Sequence, residues 1–360
     1  MNVSREQLYQ RQITLPEIGP KGQEKLLSAK VAIIGCGGLG SAVAVYLAAS
    51  GVGHLHLIDY DLIDKSNLHR QVFYGINDIG KPKTAILKDH ILKISPFVQV
   101  SRSDLPVTKA SIDKELNEYP VIIDCTDSLK TKYLLNDYCV ISGKVLIYGS
   151  LYKHDGYVGT FNTNSEGSCS SNLRDAFPAI PEKHIPNCSE IGTLNPIVGI
   201  ISMMQANEAI KIITGSGNPL INQLLIYNSM ENSQFIMKLN KSFNKERIIK
   251  LFEQESYFDE RCEIQENHLL IKAEELKEKL DKKELHIVSV IEDTEVSLPF
   301  EVNQKIPLSS FDVSDLDMNK NRDLVIICHK GISSYKVTKM IKKELPDINV
   351  YSLKNGIDAF

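Results

Sequence analysis

Basic charge is what this sequence most lacks. Its 360 residues set 41 Lys and Arg against 45 Asp and Glu, a net charge of −4. Such a chain presents no cationic stripe for a phosphate backbone, so nucleic acid is not an expected partner. A long unbroken apolar run is missing too. The most apolar stretch, residues 196–213, is interrupted by Gln205, Asn207, Glu208 and Lys211, so no membrane span is expected. The N-terminal text MNVSREQLYQRQ lacks the apolar core of a signal peptide. Seven cysteines, scattered and odd in number, do not make a disulfide framework. A reducing cytoplasm is the expected compartment. No internal repeat stands out.

What is present is the balance of an ordinary folded protein, 42% apolar and 24% charged. The length implies two domains. Residues 4–28 read as helical, with a turn at 19–22. Lys30-Val-Ala-Ile-Ile-Gly35 is a short β-branched run, the signature of a buried parallel strand. A glycine-rich turn follows, then a small-residue helix over 41–50 and a strand over 54–59, which together make a βαβ unit. A helix over 83–94 and strands near 98–101, 121–127 and 145–149 continue the alternation. The expected fold class is therefore α/β, a Rossmann-like doubly wound and mostly parallel sheet. Residues 224–228 and 233–239 add an antiparallel extension. Residues 164–190 hold no clear element, and an apolar helix follows over 197–214. Residues 1–240 form the first domain on this reading. Residues 241–266, rich in Lys, Glu, Asn and Gln, read as a linker. A smaller α/β pattern occupies 267–360.

Gly35-x-Gly-x-x-Gly40, with a further glycine at Gly38, lies between strand and helix. There, backbone N–H groups face a phosphate at a helix N-terminus. Asp59 closes the next strand at a distance suited to ribose hydroxyls. By itself this pattern serves nicotinamide and flavin enzymes equally well. The text after Asp59 narrows the chemistry. Asp61, Asn67, Arg70, Gln71 and Lys83 follow in order, and Asp124-Cys-Thr-Asp127 closes a central strand. A dehydrogenase has no need of this group. Attack of a carboxylate on the α-phosphate of ATP does, because charge builds on phosphoryl oxygens while pyrophosphate leaves. Arg70 and Lys83 supply cations, and Asp127 stands where open α/β sheets bind ligands.

These residues carry a resemblance. Tyr9-Gln-Arg11-Gln12, Gly35-Cys-Gly-Gly-Leu-Gly40, Leu57-Ile-Asp-Tyr-Asp61, Ser66-Asn-Leu-His-Arg-Gln71, Gly80-Lys-Pro-Lys83, Asp124-Cys-Thr-Asp127, Pro186-Asn-Cys-Ser-Glu190 and Met204-Gln-Ala-Asn-Glu-Ala-Ile-Lys211 together resemble the adenylyltransferases of ubiquitin-like sulfur-carrier proteins, relatives of ubiquitin-activating enzymes. The resemblance covers residues 1–240. It implies a homodimer that uses ATP and Mg²⁺ to adenylate the C-terminal Gly-Gly of a small carrier protein. It also implies that Arg11 reaches the nucleotide of the neighbouring subunit. Asp59 would hold the ribose, Asn67, Arg70 and Lys83 the phosphates, and Asp127 the metal. Gly35, Gly37, Gly38, Gly40, Asp61 and Gln71 complete the expected nucleotide site.

Cys188 lies in the irregular section ahead of the expected helix start near Gly192, a setting that favours a thiolate. The resemblance places the family's crossover-loop cysteine here, as a nucleophile that takes the carrier from AMP. Adenylation itself does not require it. The family often carries a zinc held by two Cys-x-x-Cys pairs. Here the first reads Cys169-Ser-Ser-Asn172 and the second Cys262-Glu-Ile-Gln265, so zinc is not expected. Cys36, Cys125 and Cys139 read as packing residues.

Residues 267–360 resemble a rhodanese-like domain through Val325-Ile-Ile-Cys328-His-Lys-Gly331-Ile-Ser-Ser334 and Leu353-Lys-Asn-Gly356-Ile-Asp-Ala-Phe360. A Cys-led loop before a helix rings its sulfur with N–H groups that suit an anionic persulfide. Cys328 is thus a candidate for sulfur transfer, with a cysteine desulfurase as a possible donor. Ser333 stands where the loop normally has an arginine, and Val288-Ser-Val-Ile-Glu292 lacks the usual acid–arginine pair. Lys330 is a candidate substitute cation. Two other readings remain at this stage: a non-catalytic scaffold that binds a ubiquitin-like protein, and adenylation of a peptide terminus.

Overall fold

The computed structural model describes residues 4–165, 168–181, 192–257, 267–281, 285–317, 322–329, 331–357 and 360. The chain divides into a first unit, residues 1–259, and a second, residues 260–360.

The first unit is built on one eight-stranded sheet. Its strands are β1 (Lys30–Ile34), β2 (His54–Ile58), β3 (Gln99–Ser103), β4 (Val121–Asp124), β5 (Val145–Tyr152) and β6 (Asp155–Phe161). A two-stranded hairpin, β7 (Asn164–Ser165) and β8 (Ser168–Cys169), stands apart, and β9 (Gln223–Asn228) and β10 (Ser233–Lys238) return to the main sheet. The order is β10-β9-β6-β5-β4-β1-β2-β3. β3, β2, β1, β4 and β5 run parallel, and β6, β9 and β10 extend the sheet antiparallel.

Alternation along β1 feeds two cores at once. Val31 and Ile33 join one, Ala32 and Ile34 the other. A strand covered on both faces has no polar side to show, which is why its sequence is a continuous apolar run. Helices Gly38–Ala49, Lys83–Ile94 and Asn195–Thr214 contribute to the first core, and Leu129–Ser142 to the second. Helix Asn195–Thr214 is apolar and long enough, by length and composition, to cross a membrane. Here it packs beside β5 and β6. Its buried Gln205 donates to the Asp124 carbonyl at 2.8 Å, and its buried Glu208 accepts from Thr160 Oγ1 at 2.6 Å and Leu220 N at 2.7 Å.

Several expectations need correction. The turn in the N-terminal helical region lies after Ile13, and Gly19-Pro20 instead opens the helix Gly19–Ser28. Proline suits that first turn because its missing N–H would have no intrahelical partner. The helix expected near Gly192 begins at Asn195. Residues 164–190 are not without structure: besides the hairpin they contain the helix Leu173–Ala176, capped by Asn172. Residues 241–257 are no linker. They include the helix Lys245–Gln254, and Ile248, Phe252 and Tyr257 pack inward.

One buried network fixes these two overlooked segments. Arg174 is fully buried and binds both carboxylate oxygens of the equally buried Asp137, through Nη2 at 2.6 Å and Nε at 2.9 Å. Its Nη2 also reaches Glu255 at 2.6 Å, and Tyr257 donates to Asp137 at 2.5 Å. Polar composition hid this region because its inward-facing residues, Glu255 and Tyr257, find their partners in Arg174 and Asp137, far away in sequence.

The second unit is a five-stranded all-parallel sheet. β11 (Leu270–Ile271), β12 (Leu285–Ser289), β13 (Gln304–Lys305), β14 (Asp323–Ile327) and β15 (Val350–Leu353) lie in the order β11-β15-β14-β12-β13. Helices Ala273–Asp281 and Ile332–Glu344 accompany it.

Removing Arg174 strands a buried carboxylate, which costs about 3–5 kcal/mol. Arg174→Met should lower the first unit's melting temperature markedly, read by calorimetry, and Asp137→Asn in the same chain should restore part of it. An unchanged melting temperature in the single variant would show that the network holds nothing.

Candidate functional site

The glycine turn is set by close contacts. Gly35 has φ +88, and a Cβ there would stand 2.8 Å from the Cys125 carbonyl oxygen. A Cβ on Gly40 would lie 1.8 Å from the Gly35 carbonyl oxygen. Only glycine lets the helix Gly38–Ala49 start this close to β1. Its N-cap, Gly37, provides no side-chain cap, so the first-turn N–H groups are left for a ligand. Tyr74, a residue the motif reading passed over, locks the turn by donating its hydroxyl to the Cys36 carbonyl at 2.7 Å.

Asp59 ties this turn to the end of β2. Its Oδ2 accepts from Cys36 N at 2.6 Å and its Oδ1 from Asp61 N at 2.8 Å. Burial pushes its pKa up to about 6; Lys83 pulls the other way, and the neighbouring Asp61 adds to the rise. Lys83 opens the helix Lys83–Ile94 and is almost fully buried, its Nζ 2.7 Å from Asp61 Oδ2. Burial disfavours the lysine's charge, but Asp59 and Asp61 outweigh it and raise its pKa.

Asn67 ends a short 3-10 turn and accepts from Arg70 Nη2 at 2.7 Å. Arg70 lies against Gly38: a Cβ there would be 3.2 Å from its carbonyl oxygen and 3.8 Å from its Cγ. Gln71 is buried, its Nε2 turned toward Gly37 and its Oε1 without a partner among the described residues. Asp127 is exposed just past the C-terminal end of β4, and the Cys125 carbonyl beside it faces Gly35.

The fold thus gathers Gly35, Gly37, Gly38, Gly40, Asp59, Asp61, Asn67, Arg70, Gln71 and Lys83 around one turn, with Asp127 on the adjoining strand end. Sequence reasoning missed what holds that strand end. Asp124 accepts from Thr126 N at 3.0 Å and Thr126 Oγ1 at 2.7 Å, and pairs with the buried Lys132 at 3.1 Å. Lys132 carries no local motif; only its burial beneath β5, where it also binds the Gly149 carbonyl at 2.8 Å, reveals the role.

Arg11 is elsewhere. It is exposed on the helix Arg5–Ile13, whose Gln12 donates to the Ser50 carbonyl at 3.0 Å. Ser50 caps the C-terminal end of the helix that begins at Gly38. That helix has 12 residues, so this anchor is about 18 Å from the turn.

Cys188, Cys262 and Lys330 lie outside the described residues. Cys36, Cys125 and Cys139 are buried in the two cores, consistent with packing roles. Opposite Cys169 and Asn172 the fold sets residues 241–245: Lys241 Nζ reaches the Cys169 carbonyl at 2.9 Å, and Asn172 Nδ2 reaches the Phe243 carbonyl at 3.2 Å. This stretch contains no cysteine.

In the second unit Cys328 directly follows β14 and is buried. Its Sγ accepts from Gly331 N at 3.1 Å and Ser334 N at 3.3 Å, with Ser334 Oγ at 3.2 Å. Ser334 in turn lies 2.8 Å from Ser352 Oγ. Glu292 caps Ser309, through its N at 2.9 Å and its Oγ at 2.7 Å.

An uncapped helix N-terminus, a buried carboxylate at the end of the next strand and two cations on one open α/β sheet suit a nucleoside triphosphate. The chain belongs to the ThiF family, whose model matches residues 9–248. A Mycobacterium tuberculosis protein named probable adenylyltransferase/sulfurtransferase MoeZ is 32% identical over 352 residues, spanning 95% of this chain and 90% of its own. A Thermus thermophilus sulfur carrier protein adenylyltransferase is 37% identical over 227 residues, covering 62% of this chain and 84% of its own. Among solved structures, E. coli MccB with AMPCPP and MccA has a TM-score of 0.59 at 26% identity, covering 67% of this chain and 73% of that one. E. coli MccB with ATP has a TM-score of 0.55 at 27% identity, covering 62% and 67%.

If Asp59 holds the ribose, its raised pKa predicts a pH dependence of nucleotide binding. The fold disfavours its ionised form, so this group removes stability from the ligand-free protein as pH rises from about 4 to about 6. The ionised carboxylate is the better acceptor for a ribose hydroxyl. ATP affinity should therefore fall as pH drops through about 6, and Asp59→Asn should flatten that part of the profile. Titration with a fluorescent ATP analogue between pH 5 and 8 reads this; a wild-type curve already flat there would refute it.

Proposed function

We propose that this chain adenylates the C-terminal Gly-Gly of a ubiquitin-like sulfur-carrier protein and releases pyrophosphate. The observation that carries the reading is the uncapped turn before Gly38, with Arg70 lying against Gly38 and Lys83 beside the Asp59 and Asp61 carboxylates that adjoin the turn. The terminal carboxylate of the carrier attacks the α-phosphorus, and the bond to the bridging oxygen breaks. Arg70 and Lys83 balance the charge that builds on the phosphates. Asp127, exposed and acidic at a strand end, suits Mg²⁺, which supplies charge neutralisation to the departing pyrophosphate. Family membership and the names of the relatives support the same reading over a dehydrogenase or a scaffold. The MoeZ match runs through both units, whereas the MccB matches cover at most 67% of the chain, which favours sulfur chemistry over a peptide-terminus substrate.

Arg11 is proposed to serve the nucleotide of a second copy, because its helix is anchored at the far end of Gly38–Ala49. The working form is then a homodimer, in a cytoplasm that keeps its thiols reduced; sedimentation and cell fractionation check both. Labelled pyrophosphate exchange into ATP should depend on a Gly-Gly carrier. Lys83→Ala or Arg11→Ala should each lower it about a hundredfold or more. Mixing the two variants should recover activity, since a mixed dimer rebuilds one intact site. Cys188→Ala should keep exchange, because its proposed attack follows adenylation. Exchange that ignores the carrier, or that never occurs, would overturn the assignment.

The second unit is proposed to act as a rhodanese-like sulfurtransferase. A donor such as a cysteine desulfurase would load sulfur on Cys328. The terminal sulfur then attacks the acyl-adenylate carbonyl and AMP leaves, giving an acyl disulfide that a cellular thiol opens to the thiocarboxylate. The N–H groups of Gly331 and Ser334 hold the anion. Mass spectrometry should find one added sulfur at Cys328 after treatment with a desulfurase and cysteine, or with thiosulfate. No addition from either donor would end the sulfur reading and leave adenylation standing.

A further inference from the structure

A cavity of about 180 Å³ lies in the first unit, and none of its lining residues belongs to the nucleotide site. Its polar wall comprises Asn162, Asn164, Ser170, Asn172, Lys241 and Lys245. Asn162 is 2% exposed, yet neither its amide nitrogen nor its carbonyl oxygen has a partner among the described residues. Its backbone is left-handed, φ 60, a conformation asparagine tolerates. A buried amide left open is unfavourable unless something in the cavity answers it.

Water can answer the amide, but Lys241 and Lys245, both exposed at the cavity wall, also give it positive charge. The volume equals roughly six water molecules. Two lysines line it and no carboxylate does. Asp175, in the neighbouring helix Leu173–Ala176, is committed to Asn172 N at 2.8 Å, Ser242 N at 2.6 Å, Ser242 Oγ at 3.0 Å and Phe243 N at 3.0 Å. The helix Leu129–Ser142 ends here, through Val140 and Gly143, and the helix Lys245–Gln254 begins here. Their partial charges are about half a unit each and opposite in sign, so they offset. The two full lysine charges then decide which solute is preferred. A divalent cation would face those lysines with one thiol, Cys169, as its soft ligand.

We propose that this cavity binds a small tetrahedral oxyanion of the phosphate or sulfate class, held by the Asn162 amide and the ammonium groups of Lys241 and Lys245. The anion would join the end of β6 to residues 241–245. Charge-assisted hydrogen bonds are short and directional, which suits a tetrahedral acceptor better than a spherical one.

The test uses the full chain carrying Lys83→Ala, which weakens phosphate binding at the nucleotide turn. Calorimetric titration with inorganic phosphate, and separately with sulfate, should show saturable binding. Asn162→Gly removes the amide while suiting the left-handed backbone, and Lys245→Met removes one exposed charge; each should weaken binding at least tenfold. Without Lys83→Ala, the same two variants should exchange pyrophosphate at the parent rate. Chloride and acetate should bind far more weakly than phosphate. Absence of saturable binding, equal binding by chloride, or binding unchanged in both variants would overturn the proposal. So would metal analysis that finds one zinc per chain, or crystals grown in phosphate that show only water at Asn162. These outcomes leave the adenylation reading untouched, since it is judged by carrier-dependent exchange.

Discussion

The first unit depends on one close approach. Helix Gly38–Ala49 starts so near β1 that the Gly35 carbonyl would collide with any side chain at position 40. That contact leaves the first-turn N–H groups without a side-chain cap and brings the end of β4 alongside through Cys125. The groups proposed for phosphate chemistry, Arg11 apart, are then placed relative to the turn. Asp59 holds it from the β2 side through Cys36, Tyr74 from the loop side, and Arg70 lies across Gly38. A turn without side chains needs neighbours to define its shape, and these residues are those neighbours.

Charge is handled differently in the two halves of the first unit. At the turn, the buried Lys83 balances the buried Asp59 and the half-exposed Asp61. Behind the sheet, the Arg174–Asp137–Glu255 network is saturated and buried, and closes residues 245–257 onto helix Leu129–Ser142. Lys132 and Asp124 form a third pair under the strand end that carries Asp127. Buried pairs such as these define geometry more than they add stability. Here what they define is the position of the strand end next to the turn.

Much of this was legible because it is local. A β-branched run, a glycine turn and a small-residue helix follow each other without a gap, and each limits its own backbone. The antiparallel pair β9–β10 and the strand–Cys–helix text at Cys328 were readable for the same reason. What failed was composition used as a proxy for order. Residues 241–266 were polar enough to read as a linker, yet Ile248 and Phe252 on helix Lys245–Gln254 and Tyr257 beyond it pack inward, Glu255 meets Arg174, and the helix's own charges face solvent. Helix Leu129–Ser142 and strand β6 were not expected, although Ser128 caps the start of that helix and the left-handed Gly143 ends it.

The sequence by itself determined the parallel α/β order, the nucleotide turn and the identity of its charged neighbours, since these rest on residue type and short spacing. Tertiary structure alone decided which distant groups share a site. It put Arg70 on Gly38, moved Arg11 to the far end of the helix, set residues 241–245 opposite Cys169, and left the Asn162 amide open in a lysine-lined cavity. Those outcomes depend on contacts between segments many tens of residues apart. Packing of whole helices and strands sets such contacts, and no short stretch of sequence encodes it.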